Sequence, residues 1–319
     1  MAGSANRKKK RNHRIRLLCL FLEIVVVLTL VVIIGWDKGI GEWMESFTSP
    51  VVRELDVTGI NSSHAVLMRA KGGKVLGEMN ARERIYPASL TKMMTAILAL
   101  EKLDPEDTIT LTNEMTAALA GRDATQAGFQ PGETVRVIDL IYGALLPSGA
   151  ECCIALADTI SGTEEQFAEL MNQKARRIGM EDTNFRDSTG LHDPDHYSTA
   201  YDMALLLKYC MRNDTFREII ESPWHSTPAT NVHPDGITFY STMLKNLPDP
   251  YVTGGKILGG KTGFTNDAGL CLASYAEIGE REYILVTAGA PGTTGEPLHV
   301  HDAVTIFTRL GEAWQALAG

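Results

Sequence analysis

The sequence predicts an α+β fold: a layered arrangement in which an antiparallel sheet, drawn from both ends of the folded body, packs on helices and carries a helical sub-domain from the middle of the chain. Three observations carry this. Strand-like apolar segments punctuated by glycine occupy residues 64–80 and again 256–289. Between them, apolar residues recur at helical spacing in five separate stretches. There is no internal repeat or low-complexity tract, so stacked-repeat architectures are excluded. Helices fill the middle of the chain and strands come from both ends, an order that fits a sheet built from the two ends and packed on helices.

Taken in order, His64 to Ala70 and Lys74 to Asn80 read as two strands around Gly72-Gly73, a pair suited to a tight hairpin turn. Pro87 ends the strand-like region and suits a helix entry. Leu90 to Leu100 is mostly Leu, Met, Ala and Ile with no Gly or Pro, so a largely buried helix is expected. Asp104 to Met115 reads as short strand and loop. Val135 to Leu146 is expected as an amphipathic helix with Asp139 on its polar side, stopped by Pro147. Helices follow at Glu151 to Thr159 and Thr163 to Gly179. The latter has Glu164 and Glu165 in its first turn and Arg176 and Arg177 in its last, which matches the helix dipole. Asp187 to Tyr197 is a polar loop, and Thr199 to Met211 a further helix. Lys256 to Thr265, Gly269 to Glu277 and Glu282 to Gly289 read as strands, and Val300 to Leu317 as a closing amphipathic helix.

Of 319 residues, 44% are hydrophobic and 22% charged, an ordinary globular balance that provides a sizeable core. Charge is unevenly placed. Residues 1–16 hold seven basic residues and no acid, so a net charge of −9 leaves −16 on the rest. An acidic body argues against nucleic-acid binding. Leu17 to Gly35 is a nearly unbroken apolar run of about the length that crosses a bilayer. With the basic cluster before it, this predicts a single-pass signal anchor with a cytoplasmic N-terminus and an extracytoplasmic body. A cleaved signal peptide is the rival, but the run is long for one and leads into Trp36-Asp37-Lys38 without a small-residue cleavage site. The expected organisation is a basic cytoplasmic tail over 1–16, a transmembrane helix over 17–35, a linker over 36–56 and a folded domain over 57–319. Five cysteines show neither a disulfide framework nor C-x-x-C and read as small buried hydrophobes, with Cys19 in the anchor.

The chemistry starts at Ser89 and Lys92. On a helix, residues three apart share a face, so the hydroxyl and the amine would sit side by side in an apolar place. A serine hydroxyl is a weak nucleophile until a base takes its proton, and burial lowers a lysine pKa, which makes that amine a base. Ser-x-x-Lys alone is a weak pattern, although Ser89 is the only serine here with lysine at that spacing. Two more pieces lie downstream. Lys261-Thr262-Gly263 sits in a probable glycine-flanked strand, where a substrate backbone can approach closely. Lys261 offers a cation and Thr262 a hydroxyl for a carboxylate, and the Phe264 N–H could join that of Ser89 in an oxyanion hole. As a plain edge strand, the same stretch would merely carry a solvated lysine. Ser148-Gly149 follows Pro147 in a tight turn, where a serine is ordinarily a helix cap; as a site residue it would relay a proton to a leaving amine.

Ser-x-x-Lys, a serine turn and Lys-Thr-Gly, in that order, resemble the signature of penicillin-interacting serine enzymes. Ser148 follows Ser89 by 59 residues and Lys261 follows it by 172. The stretches from Tyr86 to Thr95, from Leu140 to Gly149 and from Ser198 to Ala204 are similar to the low-molecular-mass penicillin-binding proteins, the serine-type D-alanyl-D-alanine carboxypeptidases related to class A β-lactamases. The resemblance covers roughly residues 57–315. It implies the β-lactamase/DD-peptidase-like fold, with Ser89 as nucleophile, Lys92 as general base, Ser148 as proton relay and Lys261, Thr262, Gly263 and Phe264 at the substrate. The implied substrate is a peptidoglycan stem peptide ending in D-Ala-D-Ala, β-lactams are the implied inhibitors, and no metal or cofactor is required.

This sequence departs from that pattern. Ala150 stands where the family's middle motif, Ser-x-Asn, has the amide that orients the lysine and a substrate carbonyl; Glu151 or a water could substitute. Phe264 replaces a histidine of some relatives, and the C-terminal β-domain of others is not expected. A class A β-lactamase is the nearest alternative, but it needs a Glu-x-x-Leu-Asn type loop, which is missing between Ser148 and Lys261. A weakly active or inactive penicillin- or peptidoglycan-binding homologue is a second alternative, because of Ala150. A zinc peptidase would have to use His192, His196, His299 and His301, which lie in an ordinary polar loop and at alternating positions of a helix.

Overall fold

The computed structural model describes residues 51–117, 119–247 and 249–318. The expected tail (1–16), the anchor (17–35), nearly all of the linker and Cys19 lie outside them. Val52 is buried and Leu55 N–H donates to Leu76 O at 2.7 Å. The compact unit accordingly runs from Val52 to Leu317, starting ahead of the expected boundary at 57.

Strands β1 (His64–Arg69) and β2 (Val75–Met79) form the expected hairpin, with Gly72 and Gly73 both at positive φ, +81° and +69°. The serine segment then divides. A 3-10 turn covers Ala88–Thr91, and α1 runs over Lys92–Lys102, in place of one continuous helix. Next come β3 (Thr108–Thr110), α2 (Asn113–Ala117), β4 (Thr134–Arg136) and α3 (Val137–Leu145). The expected helix start at Val135 is corrected by β4, whose Val135 pairs with Ile109. Asp139, expected on a polar face, is buried and accepts from Arg136 Nε at 2.8 Å, with His225 Nε2 at 2.7 Å. An apolar helix face can carry a carboxylate when hydrogen-bonding partners satisfy it.

Helices α4 (Ala150–Ser161), α5 (Glu164–Ile178), α6 (Ala200–Cys210) and α7 (Asp214–Glu221) complete the helical part. The last three are N-capped by Thr163, Thr199 and Asn213, whose side chains accept from the N–H three residues on. A small hairpin, β5 (Trp224–Ser226) with β6 (Thr238–Tyr240), follows. Then come β7 (Tyr251–Val252), β8 (Gly255–Thr265), β9 (Gly269–Ile278), β10 (Arg281–Ala290) and α8 (Leu298–Ala318).

The main sheet has the order β2-β1-β10-β9-β8-β7 and is antiparallel throughout. Pairing of β1 with β10, His64 opposite Ala288, joins the two ends of the body. Side chains of a strand alternate between faces, and here both faces are covered. Ala65, Leu67, Leu272 and Leu285 join a core with Val300, Ile306 and Phe307 of α8. Val66, Met68, Ala273 and Ile284 join the larger core with Met93, Ile97 and Leu207 of the helical part. This explains why β1 reads as a continuous apolar run rather than an alternating one.

Candidate active site

Ser89 stands in the 3-10 turn and Lys92 opens α1, so the two side chains rise from successive turns. Lys92 Nζ lies 2.9 Å from Ser89 Oγ and donates to Thr189 O at 2.7 Å. The turn is conformationally costly: Ala88 has φ +47°, a left-handed value that a non-glycine residue holds only when its surroundings impose it. The Asp187–Gly190 loop imposes it. A Cβ on Gly190 would fall 1.8 Å from Ala88 O, so only glycine allows that contact. The Asp187 carboxylate fixes the loop by accepting from the N–H groups of Thr189 and Gly190 at 2.7 Å and from the Thr189 hydroxyl at 2.6 Å. His196 stands 3.3 Å from Asp187 and 2.9 Å from the Thr91 hydroxyl. The Thr189 carbonyl is thereby aimed at Lys92.

Burial pushes the Lys92 pKa below the usual lysine range, against the opposing pull of Cys153, Asp187 and Glu151. Loss of hydration disfavours the ammonium more than these neighbours restore it. The amine is thus biased towards its basic form beside a serine hydroxyl.

Strand β8 closes the other side. β7 pairs only with Gly255 and Lys256 of β8, and further along the strand Gly263 abuts the serine turn. A Cβ on Gly263 would lie 3.1 Å from Ser89 N and 3.2 Å from both Ala88 Cβ and Pro87 O. The Thr262 hydroxyl sits 2.7 Å from that of Thr242. Phe264 lines the same cleft, as do Ser89, Ser148 and Thr262. Ser148 is largely buried and has φ +73°. The cleft measures about 640 Å³, in the range of small-ligand sites.

Lys261 lies deeper than a solvated cation. The sequence reading has it present a cation to a carboxylate, yet it is wholly buried and its Nζ donates to Thr262 O at 2.8 Å. Burial, reinforced by the charge of Lys92, holds its pKa well below the usual range. The hydroxyls of Thr262 and Thr242, rather than the lysine, face the cleft.

The structure also brings in groups that lie outside the three sequence motifs. Thr242 lies in a segment with no motif. Thr189 contributes a carbonyl, visible in the sequence only as the turn chemistry of Asp187-Ser188-Thr189-Gly190. His299, at the start of α8, lines the cleft and is buried. Burial drives its pKa down to about 4, which makes it neutral at ordinary pH. Its neighbour Asp302 accepts from Asn61 and Ser62 and ties α8 to the chain before β1. His192 packs edge-on against Tyr86 and stands 3.5 Å from Asp267. Cys152, Cys153, Cys210 and Cys271 are buried and free, as expected, and burial raises the Cys153 thiol to about 12.

A family described as D-alanyl-D-alanine carboxypeptidase matches residues 51–292, which include both lysines, both serines and the glycine strand. The chain belongs to the D-alanyl-D-alanine carboxypeptidase family. Among its relatives, D-alanyl-D-alanine carboxypeptidase DacF of Bacillus subtilis is 33% identical over 231 residues, 71% of this chain and 57% of that protein. DacC of Escherichia coli is 34% identical over 247 residues, 74% of this chain and 58% of that protein. The chain thus spans under two thirds of the length of these curated relatives. An alanine-substituted form of a Streptomyces DD-transpeptidase superposes with a TM-score of 0.71 at 26% identity, covering 80% of this chain and 98% of that one. A Mycobacterium tuberculosis D-alanyl-D-alanine carboxypeptidase shares the fold, with a TM-score of 0.69 at 23% identity over 84% of this chain and 96% of that one. The antiparallel sheet and flanking helices of this D-alanyl-D-alanine carboxypeptidase family member are therefore the DD-peptidase fold, the α+β class expected from the sequence.

Proposed function

We propose that this chain is a penicillin-sensitive serine D-Ala-D-Ala carboxypeptidase acting on peptidoglycan stem peptides. The observation that carries the reading is the 2.9 Å contact between Ser89 Oγ and Lys92 Nζ, with the lysine buried. The neutral amine accepts the Ser89 proton as Oγ attacks the carbonyl carbon of the terminal D-Ala-D-Ala bond. The developing oxyanion meets the N–H groups of Ser89 and Phe264. Collapse breaks the C–N bond, D-alanine leaves with a proton passed from Lys92 through Ser148, and an ester remains on Ser89. Water, deprotonated by the same amine, then hydrolyses the ester. The substrate's terminal carboxylate is received by the hydroxyls of Thr262 and Thr242. Lys261 underlies them as a buried group, with Gly263 allowing close approach. A β-lactam ring opens on the same oxygen.

The substrate lies outside the membrane, which agrees with the proposed single-pass anchor at 17–35 and an extracytoplasmic body. Among the described residues no helix is long and apolar enough to cross a membrane, so this placement rests on the sequence of the N-terminal segment. Incubation with penicillin and intact-mass measurement tests the function. An adduct on Ser89, its loss in Ser89→Ala, and D-alanine release from a pentapeptide are the expected results. Wild type that neither acquires the adduct nor releases D-alanine sinks the reading.

A further inference from the structure

Ala150 leaves the middle motif without its side-chain amide, and the residue beside it is unusual. Glu151, in the first turn of α4, is wholly buried. Its Oε1 accepts from Gly128 N–H at 2.7 Å, while Oε2 has no partner among the described residues. Burial of a carboxyl with one oxygen unsatisfied is expensive, so a compensating role is implied by position.

That position is the back of one cleft wall. Residues 122–129 run past the Ser148 turn and contribute Arg122, Asp123 and Thr125 to the cleft. Three contacts tie the two segments. Ala150 N–H donates to Thr125 O at 2.8 Å. A Cβ on Gly149 would lie 2.7 Å from Ala127 Cβ, so the segments touch there. The Glu151–Gly128 hydrogen bond is the third, and the only hydrogen bond among these made by a side chain. Ser148, three residues before Glu151, has φ +73°, a left-handed value that a non-glycine residue holds only when its surroundings fix it.

We propose that Glu151 is a positioning residue: through its hydrogen bond to Gly128 it sets the 122–129 wall against Ser148, in place of ordering by the amide that Ala150 lacks. Glu151 does not touch the reacting atoms. The role rests on the acyl-transfer reading for its consequence, but the contact itself can be read without it.

The comparison uses Glu151→Gln, which keeps a carbonyl oxygen for Gly128, and Glu151→Met, which keeps length and apolar bulk but has no such acceptor. Acylation of Ser89 by a fluorescent penicillin is timed in the full chain. The Met variant should acylate about ten- to a hundredfold more slowly, as a misplacement of supporting groups by about 0.5–1 Å does. The Gln variant should recover most of that loss. Equal rates in wild type and Glu151→Met overturn the proposal, as does a folded Gln variant as slow as the Met variant. Hydrogen exchange in the wild-type protein provides the independent arm: the Gly128 amide should be protected well beyond neighbouring loop amides, and free exchange there overturns the contact even if a variant fails to fold. Absence of any wild-type adduct would sink acyl transfer alone, whereas normal acylation in Glu151→Met would sink only the role of Glu151.

Discussion

Substitution of Gly263 by alanine isolates the contact between the two halves of the site. Gly263 is not at positive φ, so the backbone accepts alanine, and any effect comes from the methyl group. That methyl would meet Ser89 N at 3.1 Å and Ala88 Cβ and Pro87 O at 3.2 Å. Comfortable carbon contacts lie at about 3.5–4.0 Å, so β8 and the serine turn must separate by about 0.4 Å. Two of the three opposing atoms are backbone and the third is a Cβ, so none can swing aside. Overpacking of this kind costs about 1–3 kcal/mol, or a Tm drop of a few degrees for a domain of this size. If a 1 Å misplacement costs about a hundredfold in rate, a 0.4 Å displacement of the β8 N–H from Ser89 should slow acylation about five- to tenfold. Stopped-flow acylation by a fluorescent penicillin, with thermal unfolding on the same samples, measures both. A Gly263→Ala protein that acylates at the wild-type rate and melts at the wild-type temperature would refute the packing argument and, with it, the claim that Gly263 supports an oxyanion site.

Lys92→Met should slow acylation about 10²- to 10⁴-fold, the usual contribution of a general base. Its stability should stay within about 2 kcal/mol of wild type, because removing a buried amine offsets leaving Thr189 O without its donor. In the wild type the acylation rate should fall as pH drops through the Lys92 pKa, since an ammonium cannot take the serine proton; burial places that limb below the ordinary 10.5, and a limb at or above 10.5 in the pH–rate profile would exclude the assignment. Asp187→Asn should destabilise the protein by about 3 kcal/mol at pH 7. Burial opposes the Asp187 charge, but His196 and Thr189 prevail and hold its pKa below the usual carboxylate range. The associated stability is present above the unfolded carboxylate pKa, about 3.9, and is lost as pH falls through the lower folded value. Urea unfolding of the Asn variant should accordingly lose less stability than wild type between about pH 5 and pH 2; equal losses would show that Asp187 is not the group concerned.

Most of the sheet and the order of the site were legible because both depend on local signals. Gly72-Gly73, the apolar run from Leu90 and the glycines around Lys261 each specify a turn, a buried helix or a close-approach strand from a few adjacent residues. What escaped was long-range. Val135 and Arg136 look like the first turn of the helix over 137–145, yet they extend because β3 offers a strand partner. Asp139 looks solvent-facing until His225, 86 residues later, supplies a cap for its carboxylate. Thr242 has no local pattern, and only the docking of its loop beside β8 pairs its hydroxyl with Thr262. The depth of Lys261 escaped for a related reason: a lysine in a glycine-flanked strand reads as open to solvent, but Ala273 opposite it in β9 belongs to the larger core, and the side chain is buried with that layer.

Two lysines buried beside one another are not an arrangement that stability alone selects. Each loses hydration, and the charge of Lys92 further disfavours that of Lys261; neither makes a salt bridge among the described residues. Ala88 and Ser148 add left-handed backbone at the same place. Such costs persist only where the surroundings fix them, and here the surroundings are a sheet covered on both faces, with the ends of the body paired through β1 and β10. The rigid parts of the fold thus carry the burden that the reacting parts impose. Relaxing the site, by hydrating Lys92 or by letting Ala88 return to ordinary backbone angles, would stabilise the chain locally and remove the basic amine on which the proposed reaction at Ser89 depends.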